Sequence, residues 1–259
     1  MRTGPVWIRR GLLRSAGLLL LGLAPAAAAP DSVATALLVS VDVSQSVDDT
    51  RFRLQMEGIA EALEDPAVVG AITGNPGGIL FAMVTWADKA DLAVGWRRIV
   101  SRADATAAAA LVRATPRRAG EFTCLGQMFR TVTAGVLPAL PLPAERVVVD
   151  VSGDGIDNCT DADSLAEAHA GLLATGATVN GLPILVPGEN DVVGAGAYRA
   201  PGYGLRATPL PQERTSLEQW YRAHVIGGPG AFLLAAAGYG DFSRALRRKF
   251  VIEISVLGR

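Results

Sequence analysis

Side chains that carry oxygen atoms lie at three places in this sequence, each at the boundary of a predicted strand or helix. Asp42, Ser44 and Ser46 directly follow an apolar run. Thr123 precedes a helical pattern, and Asp154 follows another apolar run. Carboxylate and hydroxyl oxygens, without imidazole or thiolate, suit hard cations, and a compact octahedral set favours Mg²⁺ or Mn²⁺ over Ca²⁺. These residues therefore predict a magnesium site that could also accept Mn²⁺.

Strand and helix patterns alternate along the chain. Short apolar runs predict buried strands, and apolar residues spaced by three and four predict helices. The alternation predicts an α/β fold, with a doubly wound, mainly parallel sheet and helices on both faces. A short turn at Asp88-Lys89 predicts one antiparallel edge strand. Strands are predicted at 36–41, 79–86, 92–96, 146–152, 178–184 and 231–236, and helices at 52–63, 125–136, 165–173, 216–224 and 242–250.

The predicted strand ends explain how distant residues could meet. In an open parallel sheet, ligands bind in the crevice beyond the carboxyl ends of the strands. Asp42 ends one predicted strand, and Asp154 follows another. Thr115 and Thr131 are the nearby alternatives to Thr123, but Thr123 immediately precedes the predicted helix, whereas Thr131 lies inside it.

This set resembles the metal-ion-dependent adhesion site of the von Willebrand factor type A domain. The signature of that site is Asp-x-Ser-x-Ser, a distant Thr and a distant Asp, and the chain matches it in order at Asp42, Ser44, Ser46, Thr123 and Asp154. The resemblance implies that these residues hold the ion directly or through water. It also implies that an Asp or Glu carboxylate of a protein partner completes the coordination. In the alternative reading, the serines only cap the following helix.

The chain also resembles an uncharacterised family of exported bacterial proteins of this type. The resemblance covers nearly the whole chain after its first residues and implies the fold and the metal site, but no substrate. The segments that carry it are 63–66, 150–155, 180–184 and 224–232.

The two cysteines of the chain stand beside proposed ligands. Cys124 follows Thr123, and Cys159 lies five residues after Asp154. If both loops converge on one ion, the cysteines come close, which predicts a disulfide between them. Two unpaired, buried thiols are the alternative.

The N-terminal segment has the layout of a secretory signal peptide. The first 30 residues contain four arginines and no acid, and the stretch from Ser15 to Pro30 is uncharged. Its apolar part is shorter than the roughly 20 residues that span a bilayer. We therefore expect residues 1–28 to be removed on export to the periplasm or the outside, leaving one domain at 29–259 with no membrane span. Its Gly- and Pro-rich segment 186–211 is predicted to be an irregular insertion loop.

Composition excludes several classes of protein. Half of the 259 residues are apolar and 19% are charged, which is typical of a globular domain. Without the first 28 residues, 20 basic residues stand against 25 acidic ones, a net charge of −5. A negative chain is a poor partner for nucleic acid or for an anionic membrane.

An enzyme is the main alternative class. Residues 153–157 resemble the metal motif of haloacid-dehalogenase-type phosphatases, in which Asp42 would be the nucleophile. Those phosphatases usually need a second Asp two positions later as general acid, and this chain has Ser44 there. With two histidines and no Gly-x-Ser-x-Gly motif, a serine hydrolase is disfavoured. The sequence therefore predicts a protein without catalytic residues.

Two further classes stay open. A metal-independent scaffold of the cell envelope would keep the fold without using an ion for binding. A surface adhesin would need export beyond the outer membrane, which this signal does not specify.

Overall fold

The computed structural model describes most of the chain. The described residues are 1, 3–4, 31–190, 193, 197–199, 205–207 and 215–255, with only the backbone described at 197–199 and 205–207. The predicted signal peptide lies outside the described residues except for three of its positions. Within the described part, no helix is both long and apolar enough to cross a membrane.

A five-stranded sheet forms the centre of the molecule, in the order β3-β2-β1-β4-β5. β2 and β3 pair antiparallel at one edge, and the other pairs are parallel. This confirms the predicted fold class, including the antiparallel edge strand. The strands are β1 (Val33–Asp42), β2 (Ile79–Trp86), β3 (Ala90–Ile99), β4 (Ala144–Gly153) and β5 (Thr178–Pro183).

Seven α-helices are described. α4 continues through one π-helical turn (Val132–Val136) and one 3₁₀ turn (Leu137–Ala139). A further 3₁₀ turn, Tyr239–Asp241, leads into the last helix. The helices are α1 (Asp49–Glu64), α2 (Pro66–Gly74), α3 (Arg102–Arg113), α4 (Leu125–Thr131), α5 (Ala162–Leu173), α6 (Leu217–His224) and α7 (Phe242–Ile254).

The central strand β1 is buried along its whole length. Leu37, Val39 and Val41 pack into the core beneath α1, α2, α3 and α7. Leu38, on the opposite face, packs into the core beneath α4, α5 and α6. Because successive side chains of a strand point to opposite faces, a strand buried on both sides needs a continuous apolar run.

Asp48 marks the start of α1, and the Asp65-Pro66 pair marks its end. The side chain of Asp48 accepts hydrogen bonds from Thr50 N and Arg51 N, both at 2.8 Å. At the other end, α1 stops before Asp65-Pro66, as predicted, because proline disfavours the helical conformation of the residue before it. Asp65 in turn caps α2.

α2 and α3 are not predicted by the patterns in the sequence. The buried face of α3 is mostly alanine, with Ala105, Ala108, Ala109 and Val112 at helical spacing. Such small side chains produce a weak apolar signal even where their spacing is right. α2 is nine residues long, too short to show a clear period.

The strand predicted at 231–236 is wrong in its extent. The segment runs beside β5 but forms only two isolated bridges, Leu233 to Gly181 and Ala236 to Ile184. Between these bridges lies Pro183, which has no N–H to donate, so the ladder cannot continue.

The predicted insertion loop, 186–211, is described only in part. It includes a short antiparallel pair, β6 (Ala197–Arg199) with β7 (Leu205–Ala207). Most of its other residues after 190 lie outside the described part, so its irregularity stays a prediction.

A buried cluster of charged groups joins α7 to the sheet. Lys249 Nζ lies 2.8 Å from Asp150 Oδ1 and also contacts Glu253 Oε1. Asn180 Nδ2 donates to the same Glu253 oxygen at 2.7 Å. Burial raises the pKa of both carboxyls, and with the nearby Asp150 it raises that of Glu253 to about 7. The single ammonium is therefore the main countercharge of two buried carboxyls.

Replacing this ammonium tests its contribution to stability. We expect Lys249→Met to lower the free energy of unfolding by about 3–5 kcal/mol, because it leaves buried carboxyls without their countercharge. Urea unfolding followed by circular dichroism measures the change. The matched control is Lys89→Met, which alters the only other lysine, exposed in the β2–β3 turn; we expect a change within about 0.5 kcal/mol. Equal stability of the two variants would show that the cluster contributes little.

Candidate metal centre

The loop after β1 presents three of the predicted ligands. Ser44 N donates to Asp42 Oδ1 at 2.8 Å, which folds the loop back on the strand end. Val47 N donates to Ser44 O at 3.0 Å and closes the next turn. Asp48, rather than Ser44 or Ser46, caps α1. The alternative in which the serines serve only as helix caps is therefore wrong.

All five predicted residues meet in one hydrogen-bonded cluster. Thr123 Oγ1 donates to Ser44 Oγ at 3.2 Å. Ser44 Oγ lies 3.3 Å from Ser46 Oγ, and Ser46 Oγ donates to Asp154 Oδ1 at 2.5 Å. Asp42 joins through its bond to the Ser44 amide. The three hydroxyls thus form a chain that ends on Asp154, and the amide of Ser44 connects this chain to Asp42 on the other strand end.

Thr123 is the threonine that reaches the cluster. The hydroxyl of Thr115 donates instead to Leu111 O at 3.2 Å, and Thr131 is the last residue of α4. Thr123 is held in place by Asn158: its N–H donates to Asn158 Oδ1 at 2.8 Å, and its carbonyl accepts from Asn158 N at 3.1 Å. The loop after β4 therefore positions the loop before α4.

The predicted disulfide between Cys124 and Cys159 is present. It joins the same two loops, with the Cα atoms 5.3 Å apart. Asp157 adds a further link, since its Oδ2 accepts from Gly126 N at 2.9 Å. A covalent bond and side-chain hydrogen bonds thus hold Thr123 close to the strand end that carries Asp154.

Burial of the two carboxyls sets the electrostatics of the site. Asp42 is fully buried and Asp154 is 6% exposed. Burial, together with the neighbouring Asp154, raises the pKa of Asp42 from 3.8 to about 7. Asp42 Oδ2 is buried without a hydrogen-bond partner in the described part of the chain. Such an atom is costly unless a proton or a cation interacts with it.

Two tyrosines that no sequence pattern predicts contribute to the site. Tyr239 OH donates to Asp154 Oδ2 at 2.9 Å. Tyr221 is buried near Asp42, and a Cβ on Gly153 would lie 2.8 Å from its hydroxyl oxygen and 3.0 Å from Asp42 Oδ2. Glycine is therefore required at position 153. Neither tyrosine stands near the Asp-x-Ser-x-Ser motif in sequence, so no local signal marks them.

Two arginines fix the loop between β1 and α1. Arg51 Nη1 donates to Ser46 O at 2.9 Å, and Arg117 Nη2 donates to Val47 O. Arg51 Nη1 also lies 3.5 Å from Asp154 Oδ2. Two successive carbonyl groups of the loop are thus held by arginines, and Ser46 is exposed at the surface.

The donor set fits a hard cation rather than a soft one. It offers two carboxyls and three hydroxyls, with an unpartnered buried oxygen on Asp42. Across the described residues, no group of three or more His, Cys, Asp and Glu side chains could hold a metal ion. A site of the zinc type, built from histidine and cysteine, is therefore not present in that part of the chain.

Comparison of sequences identifies one family. Residues 32–257 match the profile of a family described as "Protein of unknown function (DUF1194)". Comparison with curated proteins gives no match.

Solved structures with a similar fold are von Willebrand factor type A domains. Proximal thread matrix protein 1 from the mussel byssus has a TM-score of 0.57 at 15% identity, covering 88% of this chain and 48% of that chain. A von Willebrand factor type A protein from Catenulispora acidiphila has a TM-score of 0.53 at 15% identity, covering 85% and 43%. BatB from Bacteroides thetaiotaomicron has a TM-score of 0.51 at 13% identity, covering 85% and 98%.

These likenesses establish the fold, which confirms the predicted architecture. This chain spans about half the length of the byssus protein. Another structure of the byssus protein has a zinc-occupied MIDAS motif, with a TM-score of 0.55 at 16% identity over 88% of this chain and 47% of that chain.

Removing the disulfide tests its contribution to stability. We expect the Cys124→Ser, Cys159→Ser double variant to lose about 3–4 kcal/mol of unfolding free energy, because the bond closes a long loop in the unfolded chain. We also expect faster hydrogen exchange at the amides of Thr123 and Asn158, which the bond holds together. Chemical denaturation and exchange measured by mass spectrometry check both. Unchanged exchange with lowered stability would show that the hydrogen bonds alone order the loops.

The raised pKa of Asp42 predicts that the stability of the metal-free protein depends on pH. A folded-state pKa of about 7, above the ordinary 3.8, means that the folded state binds this proton more tightly than the unfolded chain does. The resulting stability is fully present below about pH 4 and is lost as pH rises through about 7. In EDTA, we expect the free energy of unfolding to fall over this range by about 2–4 kcal/mol from Asp42.

Asp42→Asn separates this contribution from that of Glu253, whose raised pKa acts over the same range. The variant should show a shallower fall with pH, whereas Asp163→Asn, at an exposed position on α5, should follow the wild type. Unfolding curves at pH 4 to 8 measure the slopes. An identical slope in Asp42→Asn would contradict the assigned ionisation.

Proposed function

This chain belongs to the family described as "Protein of unknown function (DUF1194)", and we propose that it binds a divalent cation and uses the ion to recognise a partner protein. The observation that carries the proposal is the cluster in which three hydroxyls form a hydrogen-bonded chain to Asp154 while the Ser44 amide bonds to Asp42. The unpartnered oxygen of Asp42 supports it further.

Mg²⁺ is the proposed ion, with Mn²⁺ as the next candidate. Ser44, Ser46 and Thr123 would hold the ion through their hydroxyls, and Asp42 and Asp154 would do so directly or through water. An all-oxygen set of this kind is typical of Mg²⁺ and Mn²⁺ sites. The zinc-occupied MIDAS motif of the byssus protein is a precedent for a divalent cation in this fold.

The proposed partner group is an Asp or Glu carboxylate. Two carboxylates leave a bound divalent ion with little excess negative charge around it, so it can still attract another anion. Exposed Ser46 marks the side from which such a group would approach. Without the ion, two acidic side chains and a negative net charge would repel an acidic partner.

We place the protein outside the cytoplasm, in the periplasm or beyond. Residues 1–28 are proposed to direct export. The Cys124–Cys159 disulfide supports this location, because such bonds persist in oxidising compartments.

The phosphatase alternative has less support. Ser44 stands where the general acid would be needed, and its hydroxyl accepts a hydrogen bond from Thr123 within the cluster. None of the three similar proteins is described as an enzyme. A metal-independent scaffold would share the fold but would bind its partner equally well in EDTA.

Calorimetric titration of Mg²⁺ and Mn²⁺ into the EDTA-stripped protein tests the site. We expect saturable binding by the wild type and none by the Asp42→Ala, Ser44→Ala double variant, because the ion loses a carboxylate and a hydroxyl. Thr123→Ala should weaken binding at least about tenfold, a loss near 1.4 kcal/mol.

Two controls separate the site from general damage. Thr131→Ala, which changes the threonine at the end of α4, should bind Mg²⁺ like the wild type. Circular dichroism should show that every variant is folded. If the folded wild type binds neither ion, or if Thr123→Ala binds as well as Thr131→Ala, the proposed site is wrong.

A further inference from the structure

Arg51 has a fixed position at the rim of the proposed metal site. Its Nη1 donates to Ser46 O at 2.9 Å and lies 3.5 Å from Asp154 Oδ2. Its guanidinium also stacks over the ring of Tyr239, with 5.2 Å from Cζ to the ring centre. Because these three contacts hold the guanidinium, it keeps its position when the group bound on its outer face, the side turned away from Asp154, is exchanged.

The outer face of Arg51 already binds a carboxylate. Arg51 Nη2 donates to Glu189 Oε1 at 2.5 Å. The side chain of Arg51 is 22% exposed and that of Glu189 is 53% exposed. Ion pairs that are this exposed to water contribute little to the free energy of folding. Replacing Glu189 by another carboxylate would therefore cost little free energy.

The turn that carries Glu189 is attached to the site itself. Asn190 Nδ2 donates to Asp154 O at 2.8 Å, and Asn190 Oδ1 accepts from Val186 N at 2.8 Å. Glu189 N closes the turn by donating to Val186 O at 3.0 Å. The acid is therefore kept beside Arg51 by the backbone of a proposed ligand.

We propose that Arg51 is a specificity-determining residue that binds a second carboxylate of the partner, and that Glu189 occupies this place in the free protein. The partner segment would carry two acidic side chains, one for the ion and one for Arg51. This inference rests on the proposed function and deepens it by naming the partner chemistry.

The chemistry of the guanidinium supports this assignment. Its planar fork matches a carboxylate in a way that an ammonium does not. Arg51 lies next to Asp154 and bonds to the backbone of Ser46, so a carboxylate on its outer face would sit beside the hydroxyl cluster. Two acids close together in one chain segment could then reach both places.

Two synthetic peptides test the proposal. Both have the same length and blocked ends; one contains a single Glu and the other contains two Glu residues separated by one Gly. Each is titrated calorimetrically into the Mg²⁺-loaded wild type, Arg51→Gln and Glu189→Gln, and Mg²⁺ alone is titrated into each stripped protein. Arg53→Gln, exposed on the same helix, and Glu167→Gln, exposed on α5, are the matched controls.

We expect the wild type to bind the two-Glu peptide about threefold more tightly than the one-Glu peptide, because the exposed ion pair gained with Arg51 is partly offset by the loss of the Arg51–Glu189 pair. Arg51→Gln should abolish this preference when both peptides are titrated at a Mg²⁺ concentration that saturates this variant, so that the ratio of the two peptide affinities does not depend on its affinity for the ion. Glu189→Gln should strengthen binding of the two-Glu peptide about threefold and leave the one-Glu peptide unchanged, because the competing carboxylate is gone. Both controls should behave like the wild type.

The outcomes distinguish the two proposals. Mg²⁺-dependent binding of both peptides with no preference between them, or a preference that survives in Arg51→Gln, would overturn the role of Arg51 and leave the metal-dependent recognition intact. Absence of Mg²⁺-dependent binding by either peptide would overturn both. If Glu189→Gln also binds the one-Glu peptide more tightly, then Glu189 hinders access to the ion and not to Arg51. This result would also overturn the assignment.

Discussion

The repulsion between two buried carboxyls governs the arrangement of this site. Asp154 lies close enough to Asp42 to add to the effect of burial in raising the pKa of Asp42. Asp154 is supported by the hydroxyls of Ser46 and Tyr239 and by the charge of Arg51. Among the described residues, Ser44 alone supports Asp42 by hydrogen bonding, chiefly through its amide. The support is unequal, and the poorly supported oxygen of Asp42 is where a cation would stabilise the folded protein most.

The sheet brings these carboxyls together through its strand order. β1 and β4 are neighbours, and the chain leaves β1 toward β2 but leaves β4 toward β5. The connections thus diverge between β1 and β4, which opens a crevice at their carboxyl ends. The parallel register places Val41 beside Ser152, so the residues that follow both strands enter the same crevice. The site is therefore a consequence of topology, and the loops only refine its geometry.

Rigidity is distributed around the crevice in three ways. The disulfide and the side chain of Asn158 fix the Thr123 loop, and two arginines fix the loop after β1 through its backbone carbonyls. Beneath the site, β4 also carries Asp150, whose ion pair with Lys249 ties the strand to α7. Groups held in this way need little rearrangement when a ligand binds, which favours affinity and selectivity.

The sequence alone determined the α/β architecture, the five clustered residues and the disulfide partners. Strand periodicity and residue type are local properties, and both can be read directly from the order of the amino acids. It missed α3, whose buried face is mostly alanine. It also predicted a strand at 231–236, where the structure has two isolated bridges, because Pro183 on the adjacent strand has no N–H to donate to this segment. Tertiary structure alone decided the contacts of Tyr239, Arg51 and Glu189. These residues reach Asp154 or its neighbours from distant segments, and the contacts depend on packing of whole elements, which no short pattern of residues records.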